Sequence, residues 1–314
     1  MKKFILALTV VSFLLSVQPA EAFPTRPITI FNSSSPGSPT DMMARQMAHY
    51  SEQQQHFAQP FVIETRAGGA GGVMFAALLA EPADGYTIAS SNASQLAALQ
   101  AQLAGQFAFE DFDFLANVQV DYFCLVVRAD SPFYTIDDVV EAVRRGEDVS
   151  WGGQGTGSSL HLVALRIAEQ AGFGLTWLPF LGGADSTVNL LGGHVDVIFV
   201  SPVTLWPHVE AGTVRIIALS SEERSSILPE IPTLREHGYD IVMSQWRGFI
   251  ARRGIPEDRR AMIIEAIRNS VHEPGYQEFL AQNVVAFGYM ELDEFEEFAR
   301  ADFDSIAEFS RLLD

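Results

Sequence analysis

The 314-residue sequence has only two lysines, Lys2 and Lys3, and a single cysteine, Cys124. One cysteine cannot form an internal disulfide, and its place in the apolar run 122–127 predicts a small buried side chain. The 39 acidic residues outnumber the 20 lysines and arginines, and the formal charge of −19 excludes a nucleic-acid-binding surface, because phosphate would be repelled. No apolar run reaches the roughly 18 residues that span a bilayer, and no fixed-period repeat is present.

The composition is that of a folded protein with more than one domain. Hydrophobic residues make up 48% of the chain and include 23 phenylalanines, which excludes a mainly disordered polymer. At about 150 residues per domain, the length indicates two domains.

Residues 1–22 have the pattern of a cleaved signal peptide. Lys2 and Lys3 precede an apolar stretch over 4–17, and Ala20 and Ala22 form the small-residue exit that signal peptidase requires. An uncleaved membrane anchor is the alternative, but the stretch is short and its exit consists of small residues. We therefore expect a mature chain that begins at Phe23 and is secreted to a bacterial periplasm.

Short β-rich runs alternate with helical stretches along the mature chain, which predicts an α/β fold with parallel sheets and right-handed crossovers. The pattern starts again after Val120, so two α/β units follow in series. The strand-like segments 122–128 and 246–251 are the candidate crossings between two lobes. This divides the mature chain into a discontinuous first lobe, 23–121 with 246–314, and a second lobe, 122–245. Ligands of open α/β sheets bind where strands lead into helices.

Several such loops are rich in glycine and hydroxyl groups. The loop 32–41 ends on the helix-capping residues Thr40 and Asp41, the loop 152–161 contains Ser158 and His161, and Gly182 and Gly183 precede another helix. Hydroxyl groups and free N–H groups at helix starts suit a small anion. The glycine-rich stretch 66–72 does not fit the dinucleotide-binding pattern.

A serine hydrolase that uses Ser158 is the enzymatic alternative. Ser158 and His161 are three residues apart at a helix start, but no G-x-S-x-G elbow surrounds the serine, and this spacing is poor geometry for proton abstraction. The seven histidines show no metal-ligand spacing, so neither a metal nor another cofactor is expected.

Seven segments in order resemble the substrate-binding receptors of tripartite tricarboxylate transporters, also called Bug-type receptors. SPGSPTD resembles their P-G-G-x-x-D loop, TRAGGAGG their N-R-x-G-A-G-G segment, and PADGYTI their P-D-G-Y-T strand entry. GQGTGSSLHL, GGADSTVNLLGGHVDVIF, IPTLREHGYD and SQWRGFIARRGIP follow in the family's order. The resemblance covers essentially the whole mature chain.

The resemblance implies a two-lobed periplasmic-binding-protein fold of type II, with the ligand cleft between the lobes. It also implies a non-enzymatic receptor, expected to be a monomer, that closes on a small organic carboxylate and delivers it to membrane permease subunits. A dicarboxylate is favoured, and a receptor that feeds a sensor protein is an alternative. The resemblance assigns ligand binding to two groups of residues: Ser34, Ser35, Thr40, Asp41, Ser91 and Asn92 in the first lobe, and Thr156, Gly157, Ser158, His161, Gly182 and Gly183 in the second.

Overall fold

The computed structural model describes residues 23–34, 36–100, 103–180, 182–225, 227–283 and 285–309. The predicted signal peptide and Ser35 lie outside these ranges. The described residues contain no helix that is both long enough and apolar enough to cross a membrane.

Eleven strands occur in the described chain. They are β1 (Ile28–Asn32), β2 (Phe61–Thr65), β3 (Thr87–Asn92), β4 (Phe112–Tyr122), β5 (Cys124–Arg128), β6 (Ser150–Gln154), β7 (Thr176–Phe180), β8 (Val197–Val200), β9 (Val214–Leu219), β10 (Ser244–Arg252) and β11 (Phe287–Glu291).

The described residues also contain ten α-helices. They are α1 (Pro39–Gln53), α2 (Gly72–Ala80), α3 (Ala93–Gln100), α4 (Ile136–Arg144), α5 (Ser159–Ala171), α6 (Gly183–Leu191), α7 (Pro202–Glu210), α8 (Glu257–Val271), α9 (Pro274–Gln282) and α10 (Leu292–Phe309).

The strands form two separate sheets, in the orders β11-β4-β10-β3-β1-β2 and β7-β6-β8-β5-β9. Both sheets are mixed, which corrects the expectation of purely parallel ones. In the first sheet, β1 runs parallel to β2 and β3, whereas β10 is antiparallel to β3 and β4. In the second, β6 runs parallel to β7 and β8, whereas β5 is antiparallel to β8 and β9.

The chain passes between the sheets at two places that lie side by side. β4 ends in the first sheet at Tyr122 and β5 begins in the second at Cys124, so the first passage is essentially Phe123. The whole of β10 pairs within the first sheet, so the return passage precedes Ser244 rather than using 246–251. Ser220 connects the two passages: its hydroxyl group accepts a hydrogen bond from Phe123 N at 2.9 Å and donates one to Met243 O at 2.5 Å.

Each sheet is covered by its own hydrophobic core. In the first sheet, alternate residues of β10 face two different apolar clusters: Trp246 and Ile250 pack toward α10, whereas Phe249 and Ala251 pack toward α8. Cys124 is fully buried among aliphatic side chains of the second sheet, as the sequence predicts. Burial raises the pKa of its thiol.

Candidate functional site

A cavity of about 530 Å³ lies between the parts of the chain that belong to the two sheets. Its volume is in the range of about 300–1,000 Å³ that is usual for small-molecule sites. Residues from both halves line it, among them Ser34 and Asn92 from the first and Gln154 and Ser158 from the second.

Six helices begin at the wall of this cavity. In each case the residue immediately before the helix lines the cavity, for α1, α2 and α3 on one side and for α5, α6 and α7 on the other. These residues are Ser38, Gly71, Asn92, Ser158, Gly182 and Ser201. The N-terminus of a helix carries partial positive charge and N–H groups without an intrahelical partner, so the arrangement favours an anion.

Eight of the residues assigned from the sequence line this cavity. They are Ser34, Thr40, Asn92, Thr156, Gly157, Ser158, Gly182 and Gly183. Asp41, Ser91 and His161 lie outside the lining, and Ser35 lies outside the described residues.

Asp41 lies outside the cavity lining and holds the loop 32–41 in place. Its carboxylate accepts hydrogen bonds from Gly37 N at 2.8 Å, Arg45 Nε at 2.8 Å and Asn32 Nδ2 at 3.1 Å. Burial opposes ionisation of Asp41, but these hydrogen bonds and the charge of Arg45 outweigh it and hold the pKa of the carboxyl group below its usual range. Asp41 therefore ties the end of β1 and the loop to α1.

Asn92 connects two helix starts on the first side of the cavity. Its Nδ2 donates to Oγ1 of Thr40 at 3.0 Å, and its Oδ1 accepts from Gln95 N at 3.1 Å. The neighbouring Ser91 is 1% exposed, and its hydroxyl group has no hydrogen-bond partner among the described residues.

Ser158 and His161 form a helix cap and share no hydrogen bond between their side chains in the described structure. The Ser158 hydroxyl group accepts from His161 N at 3.3 Å and donates to Gly155 O at 3.3 Å. Nδ1 of His161 accepts from Gly157 N at 3.1 Å, and the imidazole stacks on Trp177. The base that a Ser158 nucleophile would need is thus engaged with the backbone.

His161 should make folding stability depend on pH. Burial lowers the pKa of the imidazole below its usual value of about 6.5. Between the lowered pKa and about pH 6.5 the unfolded chain binds a proton that the folded chain does not, so stability falls as the pH falls through this window. We expect the unfolding free energy from urea titrations to show this slope in the wild type, and a flatter slope in His161→Asn. Equal slopes would contradict this role.

Gly182 and Gly183 differ in the space around them. A Cβ atom added at Gly182 would meet nothing within 4 Å, whereas one at Gly183 would lie 2.6 Å from Thr204 Oγ1 and 2.8 Å from Val200 Cγ2. Gly183 therefore allows α6 to pack against the start of α7, and Gly182 leaves open space in the cavity wall.

The sequence reasoning did not identify Arg247, which lines the cavity together with Gln245, Phe123 and Thr204. The signal available was an arginine inside the otherwise apolar segment 246–251. The aromatic side chains of Phe180, Trp206 and Trp246 do not line the cavity. Among the described residues, no group of three or more His, Cys, Asp or Glu side chains is arranged to hold a metal ion.

The chain has two α/β lobes with a cavity between them, and helix N-termini from both lobes line this cavity. This is the architecture of the periplasmic binding proteins. Solved structures of that class share this fold. One is a TctC solute-binding protein from Polaromonas, 26% identical with a TM-score of 0.80, which covers 92% of this chain and 99% of that one.

The family model of the tripartite tricarboxylate transporter family receptor matches residues 43–309. The chain belongs to this family. A curated relative, the UPF0065 protein in the gbd 5′ region of Cupriavidus necator, is 30% identical over 292 residues, which is 91% of this chain and 88% of the relative.

Two further solved structures with the same fold contain dicarboxylates. MatC from Rhodopseudomonas palustris with bound malate is 22% identical, with a TM-score of 0.74 and coverage of 93% of this chain and 100% of that one. Rpa4515 of R. palustris with adipate is also 22% identical, with a TM-score of 0.79 and coverage of 92% and 98%. At this identity the likeness shows the fold alone.

Proposed function

We propose that this chain is a periplasmic receptor that binds a small organic carboxylate, with a dicarboxylate favoured, and delivers it to the membrane permease subunits of a tripartite transporter. The observation that carries the proposal is the convergence of six helix N-termini on one cavity. The family supports the transport role, and the malate and adipate structures show that this fold accommodates dicarboxylates.

The strongly acidic surface does not prevent anion binding at this place. The described lining residues contain hydroxyl groups, amides and glycines but no Asp or Glu. Surface carboxylates are screened over about 8–10 Å at moderate salt concentration, whereas helix ends act on a ligand within one turn. Local geometry therefore outweighs the net charge of the chain.

The ligand contacts that we propose follow from the lining. Ser34, Thr40 and Asn92 offer hydroxyl and amide groups from the first lobe, and Thr156 and Ser158 offer hydroxyl groups from the second, together with the backbone at Gly157, Gly182 and Gly183. Asp41, Ser91 and His161 act indirectly, since they lie outside the lining. Ser35 stays a prediction from the sequence.

We infer that the two lobes close around the ligand by a hinge at the two passages between the sheets. With the passages at Phe123 and before Ser244, the bounds expected from the sequence shift to 23–122 with 244–314 for the first lobe and 124–243 for the second. The hydrogen bonds of Ser220 with Phe123 and Met243 support this, because they place both passages against one another. A narrow double connection allows rotation of one lobe with few packing changes. Secretion by cleavage before Phe23, and function as a monomer, remain part of this proposal.

A thermal-shift screen of the mature chain, residues 23–314, tests the function. The protein is denatured and refolded first, so that no ligand from the expression host remains. A ligand at about 100 times its dissociation constant adds roughly 2.7 kcal/mol of stability, which raises Tm by several degrees in a chain of this size. We expect such a shift with one or more of the mono-, di- and tricarboxylates, and none with their neutral analogues. A flat response of the refolded protein to all acids would contradict the proposal.

Gly182→Ala should weaken ligand binding without affecting stability. Gly182 lines the cavity, and a methyl group added there would meet no protein atom within 4 Å. We therefore expect an unchanged Tm, and an affinity about tenfold lower because the methyl group should take up space that the ligand needs. Isothermal titration with the acid selected in the screen measures this effect.

Gly183→Ala is the matched variant one residue later. Because its methyl group would clash with Thr204 and Val200, it should lower the unfolding free energy by about 1–3 kcal/mol. If Gly182→Ala binds the ligand as tightly as the wild type, the contact assigned to Gly182 is wrong.

A further inference from the structure

Arg247 carries the one formal charge among the described residues that line the cavity. It lies on β10 in register with Asn92 of β3 and Gln119 of β4, so a neighbouring strand on each side holds its backbone in place. Gln245 precedes it by two residues and faces the same cavity. Phe123, which forms the first passage between the sheets, lines the same cavity as Arg247.

The guanidinium group of Arg247 has one hydrogen-bond partner among the described residues, Asp121. Its side chain is 4% exposed and donates one hydrogen bond, from a terminal nitrogen to Oδ2 of Asp121, whose side chain is 1% exposed. A guanidinium group has five N–H donors, and the described residues provide no second acceptor. None of the Arg247 nitrogens is a fully buried atom without a hydrogen-bond partner. Because Arg247 lines the cavity, we infer that the donors that Asp121 leaves unused face it.

The charge of Asp121 offsets part of the free-energy cost of burying the Arg247 cation, and the hydrogen bond between them fixes the orientation of the guanidinium group. Burial raises the pKa of Asp121, and the adjacent charge of Arg247 opposes that effect. A guanidinium group that is already ordered by its partner loses little side-chain entropy when it binds a second anion. Its planar fork matches the two oxygens of a carboxylate, and such charge-assisted hydrogen bonds are roughly twice as strong as neutral ones.

We propose that Arg247 binds one carboxylate of the ligand, while the other carboxylate lies at the helix N-termini, so that Arg247 makes the receptor select diacids over monoacids. This inference rests on the proposed function. The helix starts surround the cavity and suit any small anion, whereas Arg247 is a single charged group at one place in its wall. A ligand with a second carboxylate that reaches Arg247 gains an interaction that a monoanion of the same length lacks.

The test compares each of two diacids, malate and adipate, with its own monoamide, which keeps the length and removes one charge. Replacing Arg247 alone would leave Asp121 buried without a partner, so the comparison uses Asp121→Asn as the reference and Asp121→Asn with Arg247→Gln as the test variant. Arg252→Gln is the matched control, because Arg252 lies on the same strand but is exposed and donates to Glu81 O. Dissociation constants come from isothermal titration, and Tm checks that each variant is folded.

In the wild type and in Arg252→Gln, we expect at least one diacid to bind about tenfold or more tightly than its monoamide. Asp121→Asn keeps Arg247 and an oxygen that accepts from it but loses the charge that orients it, so we expect this reference to retain part of the preference, at least about fivefold. In the variant without Arg247 this preference should fall to within about threefold, because the uncharged glutamine side chain can hydrogen-bond to an amide as well as to a carboxylate. A preference that survives the loss of Arg247, or equal weakening of diacid and monoamide, would overturn the assignment and leave the proposed function intact. If the wild type binds neither the acids nor their amides, while other carboxylates stabilise it, Arg247 is not a diacid contact. If no carboxylate stabilises the wild type, the proposed function is wrong, and the assignment of Arg247 is wrong with it.

Discussion

Replacing Gly248 with alanine should destabilise the protein by about 3 kcal/mol or more. Gly248 lies in the middle of β10, where the register with β4 shifts between Arg247 and Gly248 because β4 carries an extra residue. An added Cβ would lie 2.8 Å from Asn117 Cα and closer still to the carbonyl oxygen of Ala116. Both atoms belong to the backbone of a central strand, so the clash can be relieved only by moving the strands apart.

Urea unfolding of Gly248→Ala against the wild type measures this loss. Gly174→Ala is the control: Gly174 is exposed, its added Cβ meets nothing within 4 Å, and its φ is not positive. We expect the control to change stability by no more than about 0.5 kcal/mol. A Gly248→Ala protein as stable as the control would mean that β4 and β10 do not approach as closely as the structure shows.

Phe295→Ala should cost about 3–5 kcal/mol, the usual range for truncating a fully buried phenylalanine. Phe295 on α10 is 0% exposed and packs edge-to-face on Trp246 at a centroid distance of 5.1 Å and on Phe114 at 5.3 Å. These contacts fix the C-terminal helix against β4 and β10. The aromatic pairs contribute about 0.5–1.5 kcal/mol beyond the buried area.

Met262→Ala on α8 is the control for this truncation, since Met262 is 40% exposed and should lose little. A loss in Phe295→Ala as small as in Met262→Ala would show that α10 contributes no core packing. Phe295 also borders the space at Gly248, where an added Cβ would lie 3.1 Å from its Cζ. The two substitutions should therefore be less than additive when combined in one chain.

Periodicity located most of the helices well. The apolar spacing predicts a helix over Gly72–Ala80, which has those bounds in the structure, and one over Thr40–Gln53, which begins one residue earlier, at Pro39. The amphipathic pattern also predicts a helix over Leu292–Leu313; it is a helix through Phe309, and residues 310–313 lie outside the described range. Local signals of this kind are sufficient because a helix satisfies its backbone hydrogen bonds within one segment.

The sequence pattern does not predict two strands of the first sheet, β4 and β11, because their formation depends on distant parts of the chain. β4 contains Asp113, Asn117, Gln119 and Asp121, all of them buried, so its sequence resembles a half-exposed strand or a loop. Its partners β10 and β11 come from more than 100 residues further along the chain. Side chains such as Gln119, which donates to the hydroxyl group of Tyr276, find their partners only after that assembly.

The sequence by itself predicted a signal peptide and determined the two α/β units and the loops where hydroxyl groups and glycines meet helix starts. Those features depend on neighbours along the chain, and eight of the predicted residues do line one cavity. Only the tertiary structure decided that Asp41 and His161 lie outside the cavity lining, since that depends on how the two halves of the chain enclose the cavity. It also decided that Arg247 faces the cavity, because the partner that permits its burial, Asp121, lies 126 residues away on another strand.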